Sequence, residues 1–192
     1  MKHHIIFIFI QVVLTIRSGL CINLNLLKSS SIGLYKPDVK SVHNCNPKNN
    51  NKIQHYMYAS FKDNKTMFYG NSTLEIPFDD TLFLEIKLSE KDSFGKWKEN
   101  AYMHKSPNAC SSLKTLMGNS WTPFLNGAGF QDTNCPLLPG IYIAPGFDVV
   151  SIIKESNIPK IFAYGTYKIN MWYSKKNEMF GCQSIVAEAK RP

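Results

Sequence analysis

The chain is poor in the groups from which enzymes are built. Only five histidines occur in 192 residues, and none lies in an H-E-x-x-H pattern that would hold zinc. There is no G-x-S-x-G elbow for a serine nucleophile and no phosphate-binding P-loop. Gly127-Ala128-Gly129 has neither the third glycine nor the preceding strand of a dinucleotide site, and reads as a loop. Cysteine is also sparse: five residues with no C-x-x-C pair, which argues against a zinc ribbon or a thioredoxin-like redox centre. His43 beside Cys45 reads as a histidine next to a half-cystine, and Asp79-Asp80 as a solvated turn. No nucleophile, base and oxyanion site come together, so neither catalysis, a metal nor a cofactor is expected.

Long apolar runs are equally scarce. The longest, Ile5 to Ile16, is broken only by Gln11 and Thr15 and ends at Arg17. It is too short to span a bilayer and suits the apolar stretch of a secretory signal. A cut after Cys21 puts Gly19 and Cys21 at the small −3 and −1 positions; a cut after Ser18 fits less well. Segment 1–21 is therefore expected to be a signal peptide. Its removal leaves 171 of the 192 residues and 20 basic against 14 acidic side chains, a formal +6. The lysines are dispersed, and export takes the chain away from nucleic acid, which is excluded as a partner. The remaining cysteines, Cys45, Cys110, Cys135 and Cys182, are even in number, as expected in an oxidising compartment. Four cysteines allow three pairings, and spacing does not choose among them. Asn64-Lys65-Thr66 and Asn71-Ser72-Thr73 are acceptor sequons, so Asn64 and Asn71 are candidate glycosylation sites.

What is present is a strand pattern. Leu82, Leu84, Ile86 and Leu88 alternate with Phe83, Glu85 and Lys87, and Tyr56 and Tyr58 alternate with Met57 and Ala59. Tyr167, Ile169, Met171 and Tyr173 make another period-two face, followed by a turn at Lys175-Lys176-Asn177 and a returning strand from Phe180 to Ala189. One helix is expected, capped by Ser106, with Pro107 at its first position and Gly118 at its end. Residues 22–44 read as an arm with little regular structure, and 45–192 as one domain. The expected class is mainly β: an antiparallel sandwich or cup with one short helix. The stretch Pro136 to Gly165 is unusually apolar for a segment so often interrupted by proline and glycine. Ile143, Phe147, Val149, Ile152, Ile153, Ile158, Ile161 and Phe162 are expected to pack on core, partner or ligand.

Several short blocks in order carry a family likeness: Asn44-Cys45, Gly70-Asn71-Ser72-Thr73-Leu74, Cys135-Pro136, Gly140-Ile141-Tyr142, Asn157-Ile158-Pro159, Gly165-Thr166-Tyr167-Lys168-Ile169 and Gly181-Cys182. Together they resemble the ganglioside-activator-like branch of the lipid-recognition (ML-like) proteins, and the outline is shared by secreted insect proteins of the CheB type. The family has further cysteines, and a tryptophan in its mouth loop where this chain has Ile161 or Phe162. The resemblance implies a sandwich opened at one end into a cup with an apolar cavity, and the pairings Cys45–Cys182 and Cys110–Cys135. It implies a secreted, extracellular or lysosomal protein without catalysis that holds an acyl chain. The ligand would be a glycolipid, phospholipid or hydrophobic semiochemical, collected at a transient membrane contact. In that reading the apolar loop residues line the cavity and its mouth, with Lys154 and Lys160 at headgroup level. The rival reading is an extracellular interaction or chemosensory accessory module, its cup closed and its loops on a protein partner.

Overall fold

In the computed structural model, residues 32–45, 51–63 and 65–192 are described. The expected signal segment, the first part of the arm and Asn64 lie outside them. Ten strands account for just over half of the described residues. They are β1 (Ile32–Leu34), β2 (Lys36–His43), β3 (Ile53–Lys62), β4 (Lys65–Leu74), β5 (Phe83–Lys91), β6 (Trp97–Ser106), β7 (Gly140–Asp148), β8 (Ile161–Ala163), β9 (Gly165–Lys175) and β10 (Glu178–Lys190). The helices are α1 (Ala109–Met117), α2 (Trp121–Gly127) and α3 (Val149–Glu155).

The long strand β10 organises the sheet. Along one edge it pairs with β9 over nearly its whole length. Along the other it meets β3 at a single parallel bridge, Gly181 to Ile53, and then pairs with β2 from Ser184 to Lys190. Past Gly181 the sheet therefore forks into two arms, β6-β5-β9-β10-β2 and β3-β4-β7. Helix α1 packs on β5 and α2 on β7, so the helices close the gap between the arms. This is the mainly β, opened sandwich that the strand pattern leads one to expect. Cys45 is bonded to Cys182 across 5.5 Å between Cα atoms, beside the bridge where the arms diverge. Cys110 is bonded to Cys135 across 6.0 Å, tying α1 to the segment that leads into β7.

Local chemistry explains the details. Lys176 and Asn177 both have positive φ, 48° and 66°, as a two-residue hairpin of the favoured twist requires between β9 and β10. Gly70 has φ +135°, and a Cβ there would lie 2.0 Å from the Tyr56 carbonyl oxygen. Only glycine fits this point, where β4 shifts register against β7. Pro145 is tolerated within β7 because that strand is an edge and has one side without ladder bonds.

Three expectations are corrected here. Residues 32–34 and 36–43 are strands, not an irregular arm: β2 completes the edge of β10, and the compact unit begins at Ile32 rather than Cys45. The helix does not start at Ser106 and Pro107, because Ser106 is still paired with Leu84 in the sheet. Helix α1 begins at Ala109 after Asn108, which is left-handed and makes no side-chain cap. Its orphan donors are met from the β4–β5 connection. Asp80 accepts from Ser111 N at 2.8 Å and from Ser111 Oγ at 2.5 Å, and Leu82 O accepts from Ala109 N. Finally, there is more helix than one short element. From Gly118 a 3₁₀ turn leads straight into α2, and α3 follows β7.

Asp80 is exposed, as expected of a turn acid, and also serves as a helix cap from a distance. Asp80→Ala should lower stability by about 1 kcal/mol, the usual worth of a cap, as read from the midpoint of urea unfolding. Asp79→Ala, whose carboxylate only closes a local turn on Thr81 N and Oγ, should change it by less than about 0.5 kcal/mol.

Candidate functional site

Between the two arms and the helices lies a cavity of about 260 Å³. Strand alternation builds its walls, since residues two apart share a face. Strand β3 turns Ile53, His55 and Met57 inward; β9 turns Ile169, Met171 and Tyr173 inward; β10 contributes Gln183, Ile185 and Ala187. The helices add Leu113, Leu116 and Met117 from α1, Phe124 and Leu125 from α2, and Val149, Ile152 and Ile153 from α3.

The ends of the cavity differ. One lies at the Ile53–Gly181 bridge, beside the Cys45–Cys182 bond. Because β3 and β10 run parallel there, both lead away from the bridge toward the other end, six residues or roughly 20 Å along the strand from Gly181 to Ala187. At that far end lie Val39, paired with Ala187, and, just outside, Phe162, packed on Tyr35 and Tyr167 at 6.0 and 5.0 Å between ring centres. The β1–β8 ribbon and the β3–β4 hairpin belong to this end. They expose Leu34 at 62%, Ile161 at 62% and Phe61 at 72%, an apolar fringe.

The apolar residues singled out in 136–165 divide cleanly. Phe147, Val149, Ile152, Ile153 and Ile158 line the cavity. Ile143 does not: it is 72% exposed on the outer face of β7. In that strand Ala144 is the buried neighbour, and alternation sends Ile141 and Ile143 the other way. Ile161 and Phe162 are not loop residues lining the cavity either. They form β8, paired with β1, and belong to the fringe. Lys154 is exposed. Lys160 is not a free headgroup cation, since its Nζ donates to the carbonyls of Ile153 at 2.5 Å and Ser156 at 2.7 Å, a favourable place for a cation at a helix C-terminus. Asn157 fastens the same segment to α1, donating from Nδ2 to Thr115 O and from its backbone to Leu116 O.

Four polar side chains line the cavity: His55, Ser72, Tyr173 and Gln183. His55 Nδ1 lies 2.8 Å from Ser72 Oγ, and its ring meets that of Tyr173 edge-on at 5.8 Å. Nε2 is buried and has no hydrogen-bond partner, an arrangement that costs about 1–3 kcal/mol. Burial pulls the imidazole down to a pKa of about 4, so it is neutral at pH 7; burial likewise pushes the Tyr173 phenol above its usual range. Sequence reading did not single out these four. The available signal was that His55 shares the inward face of Ile53 and Met57.

The remaining titratable groups are scattered. Among the described residues no three His, Cys, Asp or Glu side chains are placed to hold a metal. No helix among them is long and apolar enough to cross a membrane. Neither a family model nor a curated protein sequence matches this chain.

Proposed function

We propose that the protein is a secreted, non-enzymatic carrier that holds the apolar chain of a lipid between the arms of its forked sheet. The observation that carries this reading is a cavity of about 260 Å³ walled almost entirely by aliphatic and aromatic side chains. Burying a methylene is worth about 0.8 kcal/mol, so a chain of about ten carbons gains on the order of 8 kcal/mol before the losses of association. Apart from His55, Ser72, Tyr173 and Gln183 the wall is apolar. The likeness to ganglioside-activator-like proteins points the same way, as do the two disulfides and the N-terminal apolar segment for export.

The experiment is native mass spectrometry of the protein secreted from cultured cells, before and after delipidation. A small-molecule adduct released at unchanged mass, and regained stoichiometrically from a lipid extract, is the expected result. A protein that never carries or regains one would defeat the proposal.

The fringe is the natural place for contact with a membrane. Replacing Leu34, Phe61 and Ile161 together by Asp should slow lipid extraction from anionic vesicles at least about tenfold, because three apolar anchors are lost. Since all three are surface residues, the melting temperature should hardly move. A large fall in melting temperature would mean that they are core, and unchanged extraction that the membrane is met elsewhere.

A second reading, an interaction module, draws on the outer face of β3-β4-β7. Tyr56, Tyr58, Ile141 and Ile143 are exposed there, with Asn71 registered between Tyr56 and Ile143. A glycan on Asn71 would cover much of that face. Occupancy of this sequon on the secreted protein therefore favours the carrier, and an unmodified Asn71 favours a protein partner.

A further inference from the structure

The cavity wall is polar at one level only. Strand positions place all four polar residues within two residues of the Ile53–Gly181 bridge. His55 is two along from Ile53 and Ser72 is its cross-strand partner; Tyr173 is registered with Gly181, and Gln183 lies two residues further along β10. This is the end beside the Cys45–Cys182 bond, opposite the apolar fringe. A lipid that enters tail first and leaves its headgroup at the mouth has no use for polar groups there. No Lys, Arg, Asp or Glu lines the cavity. A carboxylate taken inside would thus lose its hydration without meeting a cation, which is strongly unfavourable.

Size gives the second constraint. At roughly 30 Å³ for each water-sized group, about 260 Å³ takes on the order of ten heavy atoms. That is one short chain, not two long ones. From these observations, and resting on the carrier reading, we infer that the ligand is a neutral single-chain compound of about ten carbons bearing one hydroxyl or carbonyl oxygen, seated with its oxygen inward at Tyr173, Gln183 and the His55–Ser72 pair. Tyr173 and Gln183 line the cavity with no other hydrogen-bond partner among the described residues, and are the first contacts. His55 Nε2 is covered, so it is reached only when the ring turns about its Cβ–Cγ bond. The neutral imidazole can present either a donor or an acceptor, which suits an oxygen and not an anion.

The test uses delipidated full-length secreted protein at pH 7.5. Affinities are measured for 1-hexanol, 1-decanol, 1-tetradecanol, decane and decanoate, and for extraction of phosphatidylcholine from vesicles. Affinity is expected to peak at 1-decanol, which should exceed both decane and decanoate by about tenfold, the worth of one to two well-made hydrogen bonds. In the double variant Tyr173→Phe, Gln183→Leu the decanol-to-decane ratio should fall to about twofold while decane binding is kept. If that variant does not fold, Tyr173→Phe alone is compared, and the chain-length and charge series on the parent protein still decide. Affinity that climbs on to tetradecanol, decanoate binding as well as decanol, or a ratio unchanged in the variant each overturns the inference. If phosphatidylcholine is extracted while no single-chain probe binds, the inference fails and the carrier reading stands. If nothing binds, both fail.

Discussion

Replacing Cys45 and Cys182 together by alanine should destabilise the protein by up to about 5 kcal/mol, the loop-entropy value for a bond that closes 137 residues. The same relation gives up to about 3.5 kcal/mol for Cys110–Cys135, which closes 25. In a domain of this size each kcal/mol moves the melting temperature by roughly 2–4 °C, so the first pair is worth on the order of 10–20 °C. Alanine is the better replacement, because Cys182 is buried and a serine hydroxyl there would have to find a partner. The geometry adds a local consequence. The arm β3-β4-β7 is joined to β10 by one bridge, Ile53 to Gly181, and the bond lies beside it. Without the bond, amide exchange should accelerate first at Ile53–Met57 and Gly181–Gln183, and only later in the centre of the β5-β9-β10 ladder. A fall of less than about 3 °C, with exchange unchanged at those residues, would mean that Ile53 and its packing hold the corner unaided.

How far the fold could be read from the chain depends on whether neighbouring residues differ in polarity. Strands β5 and β9 were legible because Leu84 and Ile86 alternate with Glu85 and Lys87, and Ile169, Met171 and Tyr173 with polar or half-exposed residues. The β9–β10 turn was legible from Lys176-Asn177. Strand β2 was not, since Lys-Pro-Asp-Val-Lys-Ser-Val-His shows no clean period; it is held at the edge of β10 by ladder bonds and by Asp38, which pairs with Lys40 and Lys190. Helix α2 was hidden by Pro123, usually a breaker. Here it falls in the first helical turn, where its missing N–H is not needed, and Trp121, Phe124 and Leu125 keep a helical spacing.

The site was legible in kind but not in placement. From Pro136 to Gly165 apolar residues occupy both parities, so the run marked a greasy region without saying which side faces in. Ile143 went to the solvent face for that reason, while Ala144 and Phe147 went to the core. Helix α3 could have been found from Asp148, whose carboxylate accepts from Val150 N at 3.0 Å and Ser151 N at 3.2 Å, an ordinary N-cap. The prolines and glycines around it outweighed that signal. The polar level of the cavity is a property of register. His55, Ser72, Tyr173 and Gln183 are far apart in sequence and become neighbours only when β3 meets β10.

Acid should weaken the protein well before its carboxylates are protonated, and His55 should be the cause. The imidazole is buried and neutral, with a folded-state pKa of about 4 against 6.5 for the unfolded chain. Between those values the unfolded state takes up a proton that the folded state refuses. Stability therefore rises with pH across this window. His55's contribution is complete above pH 6.5 and is lost as pH falls toward 4. A shift of this size corresponds to at most about 3 kcal/mol, of which about 2 kcal/mol has gone by pH 5. Asp38 behaves in the same sense but later. Hydrogen bonds from Lys190 and Lys40 hold its carboxyl below the usual range, so its share is lost only in stronger acid. The interval from pH 6.5 to 5 thus isolates the histidine. Urea unfolding at half-unit steps should show a fall of about 1.5 kcal/mol across it in the parent protein. In His55→Gln, which keeps a partner for Ser72 without a titrating ring, the curve should be nearly flat. Parallel curves for parent and variant would show that His55 is protonated in the folded state at pH 5; the imidazole would then be open to water, and the polar level of the cavity would be a wet one.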